Sequence, residues 1–320
     1  MPNERSLLKP GHLWGRIQEQ TAHALECGSL QSIPTRYEFI EHHGIRFLVR
    51  VLANLVRKDQ AKQKQDRAAK TTGQVFNPFL PYEKDLYVGD LSDTHVCLLN
   101  KYNVVDHHLL IVTRAFEQQD NWLNMQDFEA LWACMAEIDG LAFYNGGKIA
   151  GASQRHKHLQ LVPMPLSPDG SGIPIETAVH ETMRDESSTV STVGVIKTLS
   201  NFPFVHAVTS LDPDWSRSPS SSVDAARGMF ECYRNLLDAI GLTLDATNPH
   251  QQSGAYNLLA TRDWMLIVPR SQESFESISV NSLGFAGSLF VRDDVQKERL
   301  KTYGPMTVLH EVGISRDKLP

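Results

Sequence analysis

Between Asn145 and Pro163 the chain reads Asn-Gly-Gly-Lys-Ile-Ala-Gly-Ala-Ser-Gln-Arg-His-Lys-His-Leu-Gln-Leu-Val-Pro. On a β-strand, successive side chains point to opposite faces. His156, His158, Gln160 and Val162 then share one face, and Lys157, Leu159 and Leu161 share the other, where the two leucines suit packing. Just before them, Gly151-Ala152-Ser153 carries no bulk. Such a loop lets backbone N–H groups and a hydroxyl approach an anion closely. Three chemistries compete for the His-x-His pair. It can bind a metal, but a metal needs further ligands, for which His95 and Cys97 are conceivable donors. It can be two core histidines. Or one neutral imidazole attacks phosphorus and forms a phosphoramidate, dividing one hard displacement into two easier ones. The other histidine then supports it, and the Gln160 amide donates to a phosphoryl oxygen.

The surrounding elements must position that strand, which is expected over Lys157 to Val162. Leu13 to Leu25 has helical spacing and stops at Gly28. Tyr37 to Val51 alternates loosely and reads as strand, and Leu52 to Lys70 reads as a basic helix. Strands follow around Leu86–Val88, Thr94–Leu99 and His108–Thr113. Gln126 to Tyr144 reads as one helix, with Phe128, Leu131, Trp132, Met135 and Ile138 on one face, and Asn124 with Asp127 as its cap. Pro165 to Val190 is a long polar connection. Val223 to Ile240 is a second helix, and strands lie within Ala255–Val268 and Phe285–Val291. Leu98-Leu99-Asn100, leading to Leu109–Arg114, is echoed by Leu258-Leu259-Ala260, leading to Leu266–Arg270. The echo is either two similar buried strands or a duplicated half-barrel unit that kept one catalytic strand. The order of elements implies an α+β fold with a mostly antiparallel sheet.

Composition narrows the partners. The 320 residues carry a net charge of −6, a weak basis for binding nucleic acid or an anionic membrane. Yet Arg46 to Lys70 holds eight basic residues against two acidic ones. Such a stretch can steer a small polyanion whatever the overall sum. No apolar run approaches a spanning helix and no signal peptide is evident. Cys27, Cys97, Cys134 and Cys232 are scattered, which argues against a disulfide framework or a zinc knuckle and for the cytoplasm.

Asn145, then Ser153 eight residues on, then Gln154-x-His156-x-His158-x-Gln160, resembles the histidine-triad superfamily in its nucleotidyltransferase branch. That branch holds galactose-1-phosphate uridylyltransferase and diadenosine tetraphosphate phosphorylase (ATP adenylyltransferase). Three stretches in order resemble the phosphorylase family: Asn77-Pro78-Phe79 through Asn100-Lys101-Tyr102-Asn103-Val104-Val105, Gly151 through Gln160, and Ser279-Val280-Asn281-Ser282-Leu283-Gly284-Phe285-Ala286-Gly287. The likeness covers most of residues 37–163 and 255–295. It implies a mostly antiparallel, half-barrel-like sheet flanked by helices, with a related C-terminal unit. A catalytic region over 1–165 would be followed by a region over 166–320 that completes the nucleotide site.

On this resemblance His158 is the nucleophile that takes AMP, His156 supports it and Gln160 holds the α-phosphate. Asn145 lies close to nucleophile and phosphates, and Gly151, Ala152, Ser153 and Gln154 line the polyphosphate. Asn100 and Lys101 match one nucleotide-contacting stretch; Asn281, Ser282 and Leu283 match another. Arg292 stands where a basic phosphate contact is expected, although the family carries lysine there. For an N-terminal family lysine, Lys58 and Arg50 are both candidates.

A glutamine at the position of Gln160 cannot give up a proton as an acid, so it suits leaving groups that are already good, and it does little to activate water. The resemblance therefore implies reversible phosphorolysis of diadenosine tetraphosphate to ATP and ADP through an adenylyl-histidine. Two other readings are hexose-1-phosphate uridylyl transfer, whose paired metal-binding cysteines are missing here, and a dinucleotide sensor without turnover. The expected ligands are small nucleotides (diadenosine tetraphosphate, ATP, ADP, AMP) and phosphate, with no nucleic acid and no membrane. No protein-bound cofactor or metal is expected, and Mg²⁺ accompanies the nucleotide.

Overall fold

The computed structural model describes residues 7–52, 77–184, 193–216, 222–243, 250–251 and 253–318. The expected strand over Tyr37–Val51 is a hairpin, β1 (Thr35–His42) and β2 (Ile45–Leu52). It folds at His43-Gly44, both with positive φ (52° and 74°), the backbone that a two-residue turn between twisted strands demands. The basic helix expected over Leu52–Lys70 lies, past Leu52, outside the described residues.

The main sheet has nine strands: β3 (Tyr87–Asp90), β4 (His95–Leu99), β5 (Leu109–Thr113), β6 (Gly140–Gly146), β7 (His158–Pro163), β8 (Ile196–Lys197), β9 (Ala207–Ser210), β10 (Tyr256–Ala260) and β11 (Trp264–Pro269). Their order is β3-β4-β5-β7-β6-β10-β11-β9-β8, antiparallel throughout. Its middle is the β6–β10 pair, with Asn145 opposite Asn257. In the C-terminal half, β11 takes the place beside that pair that β7 takes in the N-terminal half, so the echoed hairpins β4–β5 and β10–β11 hold different places in the sheet. After a short antiparallel pair, β12 (Ser274–Phe275) and β13 (Ile278–Ser279), a smaller sheet sets β14 (Ser288–Val291) parallel to β2. Both sheets run across residue 165.

Each face of the large sheet is covered. On one side, α1 (Leu13–Glu26), α2 (Met125–Met135) and α4 (Ser222–Ala239) bury Ile17, Phe128, Leu131, Met229 and Tyr233 against Ile111, Tyr144, Leu159 and Leu161. On the other, the small sheet, α5 (Ser282–Phe285), α6 (Asp294–Tyr303) and α7 (Pro305–Val312) bury Phe47, Val49, Phe285, Leu289, Leu300 and Leu309 against Leu141, Phe143, Val162 and Val268. Fully burying one such side chain contributes about 1.5–3 kcal/mol.

Double coverage explains the main correction to the sequence reading. The expected helix over Gln126–Tyr144 ends at Met135, and Gly140–Gly146 is the strand β6. Leu141 and Phe143 face one core and Ala142 and Tyr144 the other. With both faces apolar no alternation is visible, and a short apolar run does not distinguish helix from strand. Gly140 marks the switch, since a Cβ there would lie 2.6 Å from the Val162 carbonyl oxygen. The α2 cap stands as read: Asn124 and Asp127 bond each other's backbone N–H in a capping box. The long connection after Pro165 contains a short helix, α3 (Glu176–Met183).

Behind the His-x-His strand, Lys157 is fully buried, its Nζ 2.6 Å from Asp127 Oδ2 and 2.9 Å from Glu117 Oε2. The other Asp127 oxygen lies 3.0 Å from His95 Nε2. Burial pushes the Asp127 carboxyl up, but the His95 hydrogen bond and the Lys157 charge outweigh it and hold the group below its ordinary value. One carboxylate thus caps α2 and ties it to the residue that leads into β7. Replacing Lys157 by Met leaves that carboxylate buried without its cation. Urea unfolding is expected to show a loss of about 3–5 kcal/mol.

Candidate active site

The ladder between β6 and β7 runs as far as Phe143 opposite Gln160. Beyond that pair the strands part, and two residues further along each the Gln119 amide stands between them. Gln119 Oε1 accepts from the His158 N–H at 2.8 Å, and its Nε2 donates to the carbonyls of Asn145 (3.0 Å) and His158 (3.1 Å). Its side chain replaces the missing strand-to-strand bonds, so no backbone group is stranded where the sheet opens. The open end brings together His158 from β7 and Asn145 from β6. Nothing in the spacing of the sequence marked Gln119.

The two histidines differ in what their rings can do. His158 Nδ1 lies 2.8 Å from the His156 carbonyl oxygen. A carbonyl only accepts, so Nδ1 carries the hydrogen and the lone pair sits on Nε2. Burial drives the His158 pKa down to about 4, so the ring is neutral at pH 7. His156 Nε2 faces the carbonyls of Thr113 (2.8 Å) and Ala115 (3.2 Å), and its Nδ1 faces Asn77 Nδ2 at 3.0 Å. The Asn77 Oδ1 is turned to the Phe79 N–H. Both His156 nitrogens are therefore engaged, and its carbonyl sets the tautomer of the ring two residues on. Phe79 packs edgewise or tilted against both rings, at 5.6 and 5.3 Å. His95 faces the opposite side of the sheet, toward Asp127, and Cys97 is buried in the core on that same side. Neither completes a metal set with His156 and His158.

Two side-chain amides, Asn145 on β6 and Gln160 on β7 itself, each have their oxygen occupied from behind. Asn145 Oδ1 accepts from Asn257 Nδ2 (2.9 Å), Ser282 N (2.9 Å) and Ser282 Oγ (2.8 Å). Asn257 is in turn held by the buried Arg270, whose Nη1 donates to its Oδ1 at 2.6 Å. Burial lowers the Arg270 pKa to about 10, which leaves it charged. Gln160 Oε1 faces His108 Nε2 at 3.0 Å, and His108 Nδ1 faces Asn100 Nδ2 at 3.2 Å. Asn100 Oδ1 takes the Tyr102 N–H, so the chain Asn100 to His108 to Gln160 runs donor to acceptor in one direction. Both chains turn an –NH₂ group, at Asn145 and Gln160, away from the bonded oxygens.

The remaining sequence candidates divide. Gly151 has φ +90°, and a Cβ there would lie 2.7 Å from the Val280 carbonyl oxygen. Glycine therefore lets the 151–154 loop close onto the 280–283 segment. In that loop Ala152 and Gln154 are half-buried and Ser153 is exposed. Asn281 caps α5 through Leu283 N. Ser282 is fully buried and acts through Asn145, and the Leu283 side chain lies in the core. The Lys101 ammonium pairs with Glu83 at 2.6 Å. Arg292 is exposed just past β14 on the smaller sheet. Arg50, also on that sheet, is buried and donates to the Leu166 carbonyl at 2.9 Å, with its Nε unpartnered among the described residues. Lys58 lies outside the described residues. Sequence reasoning missed Gln119, Asn257, Arg270, Asn77 and His108 as parts of the site; of these only Asn77 had a signal, in the Asn77-Pro78-Phe79 stretch.

His206 shares the state of His158. Burial drives its pKa down to about 4, with its Nδ1 on the Phe204 carbonyl and its Nε2 accepting from Leu199 N. As pH falls from 6.5 toward 4, the unfolded chain takes up protons that these folded rings refuse, so stability declines across that window. A nitrogen-15 imidazole titration is expected to show His158 as the neutral Nδ1–H tautomer down to about pH 4. The thermal midpoint should drop over the same interval.

Residues 3–181 match the model of the Ap4A phosphorylase N-terminal domain, and residues 200–315 that of the ATP adenylyltransferase C-terminal domain. Diadenosine 5′,5‴-P1,P4-tetraphosphate phosphorylase 2 of Saccharomyces cerevisiae is 28% identical over 265 residues, covering 74% of this chain and 75% of that protein. Protein APA1 of the same organism is 24% identical over 304 residues, covering 89% and 88%. The crystal structure of yeast Ap4A phosphorylase Apa2 in complex with Ap4A superposes with a TM-score of 0.74 at 22% identity, over 97% of this chain and 99% of that one. No helix among the described residues is long and apolar enough to cross a membrane. With more than half its length matched by the N-terminal domain model, the chain belongs to the Ap4A phosphorylase family.

Proposed function

We propose that this protein cleaves diadenosine tetraphosphate with inorganic phosphate, giving ATP and ADP through an adenylyl-His158 intermediate. The observation that carries the reading is the pair of differently bonded histidines: His156 has both nitrogens engaged, whereas His158 keeps a lone pair on Nε2. In the first step Nε2 bonds to the α-phosphorus, the bridging P–O bond breaks, and ATP leaves. Nδ1 keeps its proton on the His156 carbonyl, so the adenylylated ring is a cation and a good leaving group. In the second step a phosphate oxygen displaces that ring. ADP forms and the neutral imidazole returns.

The –NH₂ groups of Asn145 and Gln160 are suited to the phosphoryl oxygens that gain charge in both displacements. Donors held in place before the reaction need no reorganisation during it. Gly151, Ala152, Ser153 and Gln154 are assigned to the polyphosphate, Arg292 to one basic phosphate contact, and either Lys58 or Arg50 to another. Mg²⁺ arrives with the nucleotide in this reading. Four free cysteines suit the reducing cytoplasm.

Incubation with diadenosine tetraphosphate and phosphate should yield ATP and ADP in equal amounts. Without phosphate, little AMP should appear; AMP release by water at a matching rate would overturn the reading. His158→Ala should abolish turnover while nucleotide binding persists. Asn145→Asp, which sets a carboxylate where a donor stood, should lower kcat by about 10²–10³-fold.

A further inference from the structure

A second cluster of chemistry lies away from this site, where α1 meets the edge of the large sheet. His23 occupies the last turn of α1, and Cys27, its C-terminal cap residue, bonds back to the His23 carbonyl. The two residues stand one turn apart on the same helix face. Asp85, from the single 3₁₀ turn Lys84–Leu86, comes to meet them. His23 Nε2, Cys27 Sγ and a carboxylate oxygen of Asp85 lie within 4.8 Å of one another. Among the described residues, this is the one group of histidine, cysteine and acidic side chains so placed.

The group is braced. Gln20 Nε2 donates to the Asp85 carbonyl at 2.7 Å, and Ser29 Oγ donates to Asp85 Oδ2 at 3.3 Å. Asp85 Oδ1 is thereby turned to His23, at 3.0 Å. Edges between nitrogen, sulfur and oxygen ligands of a tetrahedral zinc ion are roughly 3.3–3.8 Å, given metal–ligand bonds of about 2.0–2.3 Å. Widening the His23–Asp85 contact by a few tenths of an ångström makes room for the ion in place of the hydrogen bond.

We propose that His23, Cys27 and Asp85 form a surface site for a divalent transition-metal ion of zinc type, fastening α1 to the turn before β3. One imidazole, one thiolate and one carboxylate suit zinc rather than magnesium or calcium, and solvent completes the tetrahedron. On binding, the Cys27 thiol releases its proton to solvent and sulfur bonds to the metal. The site owes nothing to His158: α1 covers the sheet face opposite that histidine, at the β3 edge.

Cobalt(II) tests this, because thiolate-bound cobalt absorbs in the near ultraviolet and histidine- or carboxylate-bound cobalt does not. Cys97, Cys134 and Cys232 are buried and Cys27 is exposed, so the band reports on Cys27 in the full-length reduced protein. The expected result is one equivalent of cobalt giving the band, and one equivalent of zinc removing it. Cys27→Ser should abolish the band, and His23→Gln and Asp85→Asn should each weaken binding by about tenfold or more. Zinc should raise the thermal midpoint of the unsubstituted protein but not of Cys27→Ser, whose metal-free midpoint should be unchanged. Absence of the band, its survival in Cys27→Ser, or affinity indifferent to His23→Gln and Asp85→Asn would each overturn the proposal.

Discussion

The site depends on one amide wedged into a β-ladder. Two strands that pair properly present a closed surface, and a sheet buried on both faces has no natural opening. Gln119 makes one without stranding a backbone group, because a side-chain amide carries the same donor and acceptor as a peptide. From the separation it maintains follow the unpaired end of β7, the approach of Asn145, and the space in which the Phe79 ring lies against both histidines.

The electrostatic design is conservative. An imidazole that is to act as a nucleophile must stay uncharged, and burial, reinforced by the neighbouring His156, keeps His158 so down to about pH 4. Cations crowded against it would attract the substrate but also pull electron density from the ring. The immediate partners are instead neutral amides, oriented by donors behind them. The positive charge of Arg270 acts through Asn257, on the oxygen side of Asn145. Full charges such as Lys157, Asp127 and Glu117 are kept on the far side of the strand, where they neutralise one another.

Much of this is legible in the amino-acid sequence. Alternation from His156 to Val162 placed the histidines and Gln160 together, and Lys157 away from them, because a strand has a fixed period of two. The Asn124–Asp127 cap was legible because capping is local. What failed was long-range or masked by burial. Strand β6 hid inside an apparent helix because both its faces are apolar. The hairpin turn at His43-Gly44 hid inside one apparent strand. Gln119, Asn257, His108 and Arg270 carry no motif; their roles arise from side chains meeting across the sheet, at separations that no local pattern encodes.

The Ser282–Asn145 contact joins residues 137 positions apart, and β2 waits for β14, which lies near the other end of the chain. Ordering these contacts is slow relative to forming the helices and the local hairpin. A ribosome that has released only the first two hundred residues has therefore made the His158 strand but not the Ser282 group that holds Asn145. During synthesis the His158 ring exists for some time in an unfinished setting, until the segment carrying Ser282 and β14 has emerged and docked.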